Sequence, residues 1–289
     1  MESFGMSQFD SLSPRAISAM IRPMRALVLA LFCLVACEVH AAPLQPRVDA
    51  CDWHCTITLD ADEVINDADP VLIRKDMLIV GPASAVVNSE VQVYGGATVE
   101  FKGFTFRQNK AGAPKQTGNP GPMFAQNGQV EVRSAQVYFT DVEMYCDDGA
   151  TQSKAAIEII SGSVNFRAAT KYTRIRYEKC HATTLNVYYG SYLALFGFSE
   201  DNVISLVTGS PNGVAVNVAS STIVANGAIF WNCTEVLPEC VPAQVGINLA
   251  RTSHLIFGSG QRTSVNQFSI PYNVVEGSSK WVGPTSSPQ

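Results

Sequence analysis

Charge is scarce in this chain. Asp, Glu, Lys and Arg make up 16% of its 289 residues, and the formal net charge is −5. No dense cluster of Lys and Arg occurs, which argues against nucleic acid as a partner. The balance suits neutral glycans, or surfaces recognised without a strong field. Long apolar runs are missing too. The run at residues 26–36 is 11 residues long, where a bilayer needs about 20. No later segment is long and apolar enough to span, so no transmembrane segment is expected in the mature chain. No helical stripe is visible outside the N-terminus. Residues 283–289, GPTSSPQ, form a polar tail without a lipid-anchor signal.

What the chain does have is a repeat of about 30 residues. Each unit carries an apolar-x-apolar triplet, a short step, then a second such triplet. The leading triplets are Val91/Val93, Val130/Val132, Ile157/Ile159, Leu185/Val187, Val216/Val218 and Ile247/Leu249. The second are Val99/Phe101, Val137/Phe139, Val164/Phe166, Leu193/Leu195, Ile223/Ala225 and Leu255/Phe257. A less regular third follows in several units: Phe104/Phe106, Val142/Met144, Ile175/Tyr177 and Ala228/Phe230. Period-two alternation marks strands with one buried face. Three short strands per unit leave no room for a helix. The pattern predicts an all-β, right-handed parallel β-helix of about 7–8 coils over residues 56–282. Val71/Ile73 with Leu78/Val80 fits a shorter coil upstream. Residues 42–55 read as a linker and N-terminal cap.

Residues 1–41 read as a secretory leader with an upstream extension. Arg22 and Arg25 precede the apolar run, and Val39-His40-Ala41 offers small residues for cleavage. Met20 or Met24 would serve as the start. Leu34-Val35-Ala36-Cys37 also matches a lipobox, in which Cys37 would carry a lipid anchor. Simple secretion is the favoured reading, with a secreted or cell-surface location in either case. Six cysteines lie beyond the leader: Cys51, Cys55, Cys146, Cys180, Cys233 and Cys240. An even count in a secreted chain predicts disulfides. The repeat favours pairs 51–55, 146–180 and 233–240. A metal site from Cys51, His54 and Cys55, with Cys180-His181, is the rival; its spacing is not that of zinc knuckles, and no metal is expected. Asn232-Cys233-Thr234 is a glycosylation sequon, expected on a surface loop.

The middle residue of a triplet points away from the core. Stacking the leading triplets gives a column Gln92, Glu131, Glu158, Asn186, Asn217, Asn248, expected to be a wet face. Glu131 and Glu158 on adjacent coils would lie within about 5 Å. Such a pair raises one pKa or binds a cation, as a lyase or hydrolase requires; an Asn/Gln ladder that only stabilises the stack is the plainer reading. The third column offers Glu143 and Arg176, with Lys171 and Arg174 beside it and Asp147-Asp148 one coil earlier. A catalytic acid–base set and a surface ion-pair network both fit these residues, and the network needs less. The stretch 107–122, with Arg107, Lys110 and Lys115, reads as a solvated loop or a flap. Tyr188, Tyr189, Tyr192, Phe196 and Phe198 cluster, and Tyr188 and Tyr192 fall outside the inward phase. They are the expected sugar-stacking residues.

The coil pattern resembles the pectin-lyase-like superfamily, and "VLIRKDMLIVG" at residues 71–81 looks like its opening coils. The resemblance covers residues 56–282 and implies the β-helix. Polygalacturonase-like members carry Asn-Thr-Asp, Asp-Asp, Gly-His-Gly and Arg-Ile-Lys motifs. This chain has Asp147-Asp148 and Arg174-Ile175-Arg176 alone, so their catalytic residues do not carry over. Gly95-Gly96-Ala97 and Phe106-Arg107-Gln108-Asn109 are similar to motifs of polymorphic outer-membrane adhesins.

The leading expectation is a non-catalytic secreted or surface protein that binds a polysaccharide or another cell-surface component through one sheet and its loops. The alternatives are a polysaccharide lyase or glycoside hydrolase, working through Glu131 and Glu158 or through Asp147, Asp148 and Arg176, and a purely structural rod. No cofactor is expected, apart from calcium should the chain be an enzyme.

Overall fold

The computed structural model describes residues 43–67, 69–108, 128–146, 155–169, 173–177, 183–197, 204–208, 214–232, 242–258, 263–275 and 277–282. They form three parallel sheets of eight, nine and eight strands. Successive strands in the chain move from sheet one to sheet two to sheet three and back, so each circuit is one coil of a parallel β-helix. The coils span 71–87, 91–108, 128–146, 155–177, 185–208, 214–232, 245–266 and 270–282, with a half coil at 55–65 before them.

The leading triplets stack in register in sheet one: Val91 on Val130, Val130 on Ile157, Ile157 on Leu185, Leu185 on Val216, Val216 on Ile247. The second triplets do the same in sheet two, from Val99 through Val137, Val164, Leu193 and Ile223 to Leu255. All of these inward side chains are buried in one continuous core. Phenylalanines stack along it, with ring centroids 5.3 Å apart for Phe101–Phe139 and 4.7 Å for Phe139–Phe166. Offset stacking of this kind adds to the burial energy.

The corner from sheet one to sheet two is left-handed in coil after coil. Ser134, Ser161, Tyr189, Ser220 and Arg251 have φ of 48°, 53°, 58°, 51° and 55°. Each costs strain for an L-residue, but the N–H of the first four bonds to the next coil: Ser134 to Ile160 O, Ser161 to Tyr188 O, Tyr189 to Ala219 O and Ser220 to Ala250 O, at 3.1–3.2 Å. Beside them a serine ladder repeats. The amides of Gly162, Ser191, Ser221 and Ser253 donate in turn to the hydroxyls of Ser191, Ser221, Ser253 and Ser278.

The N-terminal end is closed. Leu44 and Val48, on and before the short helix Gln45–Asp49, are buried against the core. Asp67 accepts from the amides of Leu44 and Gln45 at 3.0 and 3.1 Å. The Gln45 side-chain amide then acts as a substitute strand. Its Oε1 accepts from Leu72 N at 2.6 Å and its Nε2 donates to Leu72 O at 3.4 Å. Cys51 and Cys55 are joined by a disulfide, with Cα atoms 5.9 Å apart.

Two phase assignments need correction. In the first coil, Met77 and Ile79 are the inward pair, in register with Val99 and Phe101. Leu78 and Val80 face outward. All four residues of "MLIV" are apolar, so alternation could not set the phase. In the fourth coil Ile175 aligns with Met144, making it the second inward position, and the buried Thr173 is the first. Strands Ile204–Thr208, Ser264–Asn266, Ile270–Val274 and Ser279–Val282 carried no triplet regular enough to foresee. Among the described residues no helix is long and apolar enough to cross a membrane.

Candidate functional site

The sheet-one column forms as expected, with Gln92, Glu131, Glu158, Asn186, Asn217 and Asn248 in register. It is not a wet face over its first half. Glu131 is 0% and Glu158 5% exposed. Gln92 Nε2 lies 3.5 Å from Glu131 Oε2, Arg133 pairs with Glu131, and Tyr94 donates to Gln92. Burial first, then the Glu131 carboxylate, pushes the Tyr94 phenol up to about 12. This is a closed polar network. Glu131 and Glu158 lack the solvent access a polymer substrate needs. From Asn217 on, the column opens and becomes an amide ladder: Asn248 donates to Asn217 at 2.8 Å and Asn273 to Asn248 at 2.7 Å.

Tyr188 caps that ladder. Its hydroxyl donates to Asn186 at 2.9 Å and accepts from Asn217 at 3.1 Å. Tyr192 faces outward on sheet two, in register with Ser163 and Thr222. The two tyrosines therefore occupy different sheets and form no single stacking strip. Between them Tyr189 is 51% exposed.

On sheet three the register pairs Glu143 with Arg174 and Tyr145 with Arg176, so the expected Glu143–Arg176 column is displaced by one pair. Tyr145 donates to Glu143, and its phenol is raised to about 12, first by burial and then by that bond. Asp147, Asp148, Cys37, Cys180, Cys233 and Cys240 lie outside the described residues. Cys146 is disulfide-bonded. The disulfide of Cys51 and Cys55 leaves neither sulfur as a thiolate, which overturns the metal alternative there. Asn232 is buried, not on an open loop. Its Nδ2 donates to Ala243 O at 2.7 Å and Gln267 O at 3.1 Å, while its Oδ1 accepts from Ala243 N at 2.9 Å. With its amide spent inside the fold, Asn232 has no room for a glycan.

Among the described residues, an arrangement with open access lies on the outer face of sheet two, near the N-terminal end. A groove of about 540 Å³ runs there, between His54 at one end and Arg167 at the other. Cys55 pairs with Met77, which sets His54 beside Asp76. His54 N donates to Asp76 O at 2.9 Å, and its Nδ1 lies 3.5 Å from Asp76 Oδ2. Asp76 Oδ1 is fixed by the Thr98 amide at 2.7 Å. The next column is Leu78, Glu100, Tyr138 and Asn165 on successive coils. Glu100 accepts from Thr140 Oγ1 at 2.9 Å, and Gln136 Nε2 donates to Tyr138 at 2.6 Å. The Arg167 guanidinium lies 4.3 Å from the Tyr138 ring centroid, a cation–π contact that holds both groups in place. Trp53, next to His54 on the disulfide-closed turn, is 66% exposed.

The groove thus combines two carboxylates, an imidazole, a guanidinium and aromatic surface on a rigid sheet. Bidentate polar groups and ring faces of this kind recognise hydroxyl-rich ligands. Of these residues the sequence singled out His54 alone, and as a metal ligand. Their signal was the mid-position of the second triplets, where Glu100 and Tyr138 stand. Comparison with protein-family models, with curated proteins and with solved structures found no match to this chain.

Proposed function

We propose that this chain is a secreted or cell-surface β-helix protein that binds a glycan along the outer face of sheet two. The observation that carries the reading is the groove of Asp76, Glu100, Tyr138 and Arg167 on a flat, solvent-facing sheet. Coils repeat every ~4.8 Å along the axis, a spacing similar to the length of one pyranose unit. A linear polysaccharide lying along the axis would meet a new set of outward side chains at each sugar, from the groove past Asn165 and on to Tyr192. The leader and the disulfides support action outside the cell. Binding of neutral and uronic-acid oligosaccharides of increasing length, followed by calorimetry, tests the reading. Affinity should rise with length, and Tyr138→Ala or Arg167→Ala should weaken it by about 1–3 kcal/mol. No binding to any of these glycans would remove it.

A second reading is favoured by one observation, the proximity of the His54 imidazole to Asp76 with Glu100 further along the groove. A carboxylate-oriented imidazole is a general base, and a second carboxylate could serve as acid. Polysaccharide cleavage abolished by His54→Ala or Glu100→Gln would establish a lyase or hydrolase at this groove.

A further inference from the structure

The turn at residues 51–55 is anchored at both ends without help from its disulfide. Cys51 N donates to Val48 O at 3.3 Å, and Cys51 O accepts from Lys75 Nζ at 2.7 Å. Cys55 opens the strand Cys55–Thr58, in register with Met77. Between these anchors Asp52, Trp53 and His54 are exposed. His54 has a left-handed backbone, φ 62°, which costs strain in an L-residue. Its amide donates to Asp76 O and its Nδ1 lies 3.5 Å from Asp76 Oδ2, which completes the end of the groove.

We propose that the Cys51–Cys55 disulfide is a redox switch on this groove: closed, it fixes His54 and Trp53 at the groove's end, and reduced, it releases them. Its effect on binding rests on the groove being the glycan site. Three observations support the switch. Both cysteines are partly exposed, so the thiolate of an external reductant reaches the sulfurs. The ring closes only five residues, and so short a loop draws little stability from chain entropy. Opening the ring relieves the left-handed turn at His54, and strain released on opening makes a disulfide easier to reduce. The step is thiol–disulfide exchange with a dithiol. One thiolate of the reductant attacks a sulfur, a mixed disulfide forms, and the second thiol displaces it. The protein takes up two electrons and two protons as two thiols, and the reductant leaves as a disulfide. The two anchors keep the cysteines, whose Cα atoms lie 5.9 Å apart when bonded, in place for the bond to re-form. The coils have no part in the change.

Titration of the purified full chain with dithiothreitol tests this. Alkylation of freed thiols, followed by mass spectrometry of peptides, reads Cys51 and Cys55 separately from the other cysteines. The expected result is opening of this pair while the disulfide of Cys146 stays closed and the far-ultraviolet spectrum stays unchanged. Tryptophan fluorescence should shift with the opening, return on reoxidation, and lose that shift in Trp53→Phe. Affinity for long oligosaccharides should fall roughly three- to tenfold in the reduced form, the worth of about one hydrogen bond, and recover with the bond. A pair that opens only as the fold melts overturns the switch. So does an open pair with fluorescence and affinity both unmoved. Should no glycan bind in either state, the groove reading fails by itself, and the Trp53 fluorescence alone decides the switch.

Discussion

Phe139 lies between Phe101 and Phe166 in the core, stacked on both. Phe139→Ala should cost about 3–5 kcal/mol, read as a lower denaturant midpoint, because rings held by neighbours on two coils leave a cavity that cannot collapse. Two glycines separate a steric demand from a conformational one. Gly103, at φ 85°, has Gly81 O only 2.5 Å from where a Cβ would sit, while Gly95, at φ 70°, has nothing within 4 Å. Gly95→Ala should cost about 1–2 kcal/mol for the left-handed backbone alone, and Gly103→Ala distinctly more. The phenols of Tyr94, Tyr145 and Tyr272 are all raised to about 12, chiefly by burial. The folded state then holds those protons more tightly than the unfolded state, whose phenols titrate near 10. Stability contributed by the neutral phenols is complete below pH 10 and is lost as pH rises from about 10 to 12. Replacing Tyr94 with phenylalanine should therefore flatten the fall in stability between pH 10 and 12, as denaturant titrations at each pH would show. At this scale the sequence was readable wherever a polar residue separated two apolar ones, as in Val91-Gln92-Val93. It was unreadable in Met77–Val80, where every residue is apolar. The depth of Glu131 was hidden as well, because burial of an outward residue depends on what neighbouring coils place around it.

At the scale of elements, the caps and turns do separate jobs. The disulfide closes a loop of five residues, so chain-entropy loss predicts only about 2 kcal/mol of stabilisation. Its larger effect should fall on the groove, since it anchors the turn bearing Trp53 and His54. Replacing Cys51 and Cys55 with serine should weaken glycan binding more than the denaturation midpoint suggests, as calorimetry on the folded variant would show. Gln45→Ala removes two hydrogen bonds that seal the edge of Val71–Ile73. Each is worth about 1 kcal/mol, so the denaturant midpoint should fall, and the bared edge should make the chain self-associate in sedimentation. The existence of the strands was legible in the triplets. The groove was not, because His54, Asp76, Glu100, Tyr138 and Arg167 come from five different turns of the chain, and only register makes them neighbours.

At the scale of the molecule, each coil touches only the coils beside it, so stability is a sum of coil and interface terms. Hydrogen exchange should show strongest protection in the three coils 91–108, 128–146 and 155–177, where the phenylalanine stack runs, and weakest toward 270–282, where the inward positions stand open. Uniform protection from end to end would argue against independent coils.

The sheet-one column keeps perfect alignment although its members are separated by 39 residues between Gln92 and Glu131 and by only 25 between Asn248 and Asn273. Chain length at the return to sheet one is thus decoupled from register. Lengthening a loop there costs little, growing only with the logarithm of its size. The connection at that corner is a port: foreign segments can be grafted or native ones trimmed while the spine they hang from stays unchanged. New specificities could arise by cut and splice, with no renegotiation of the core.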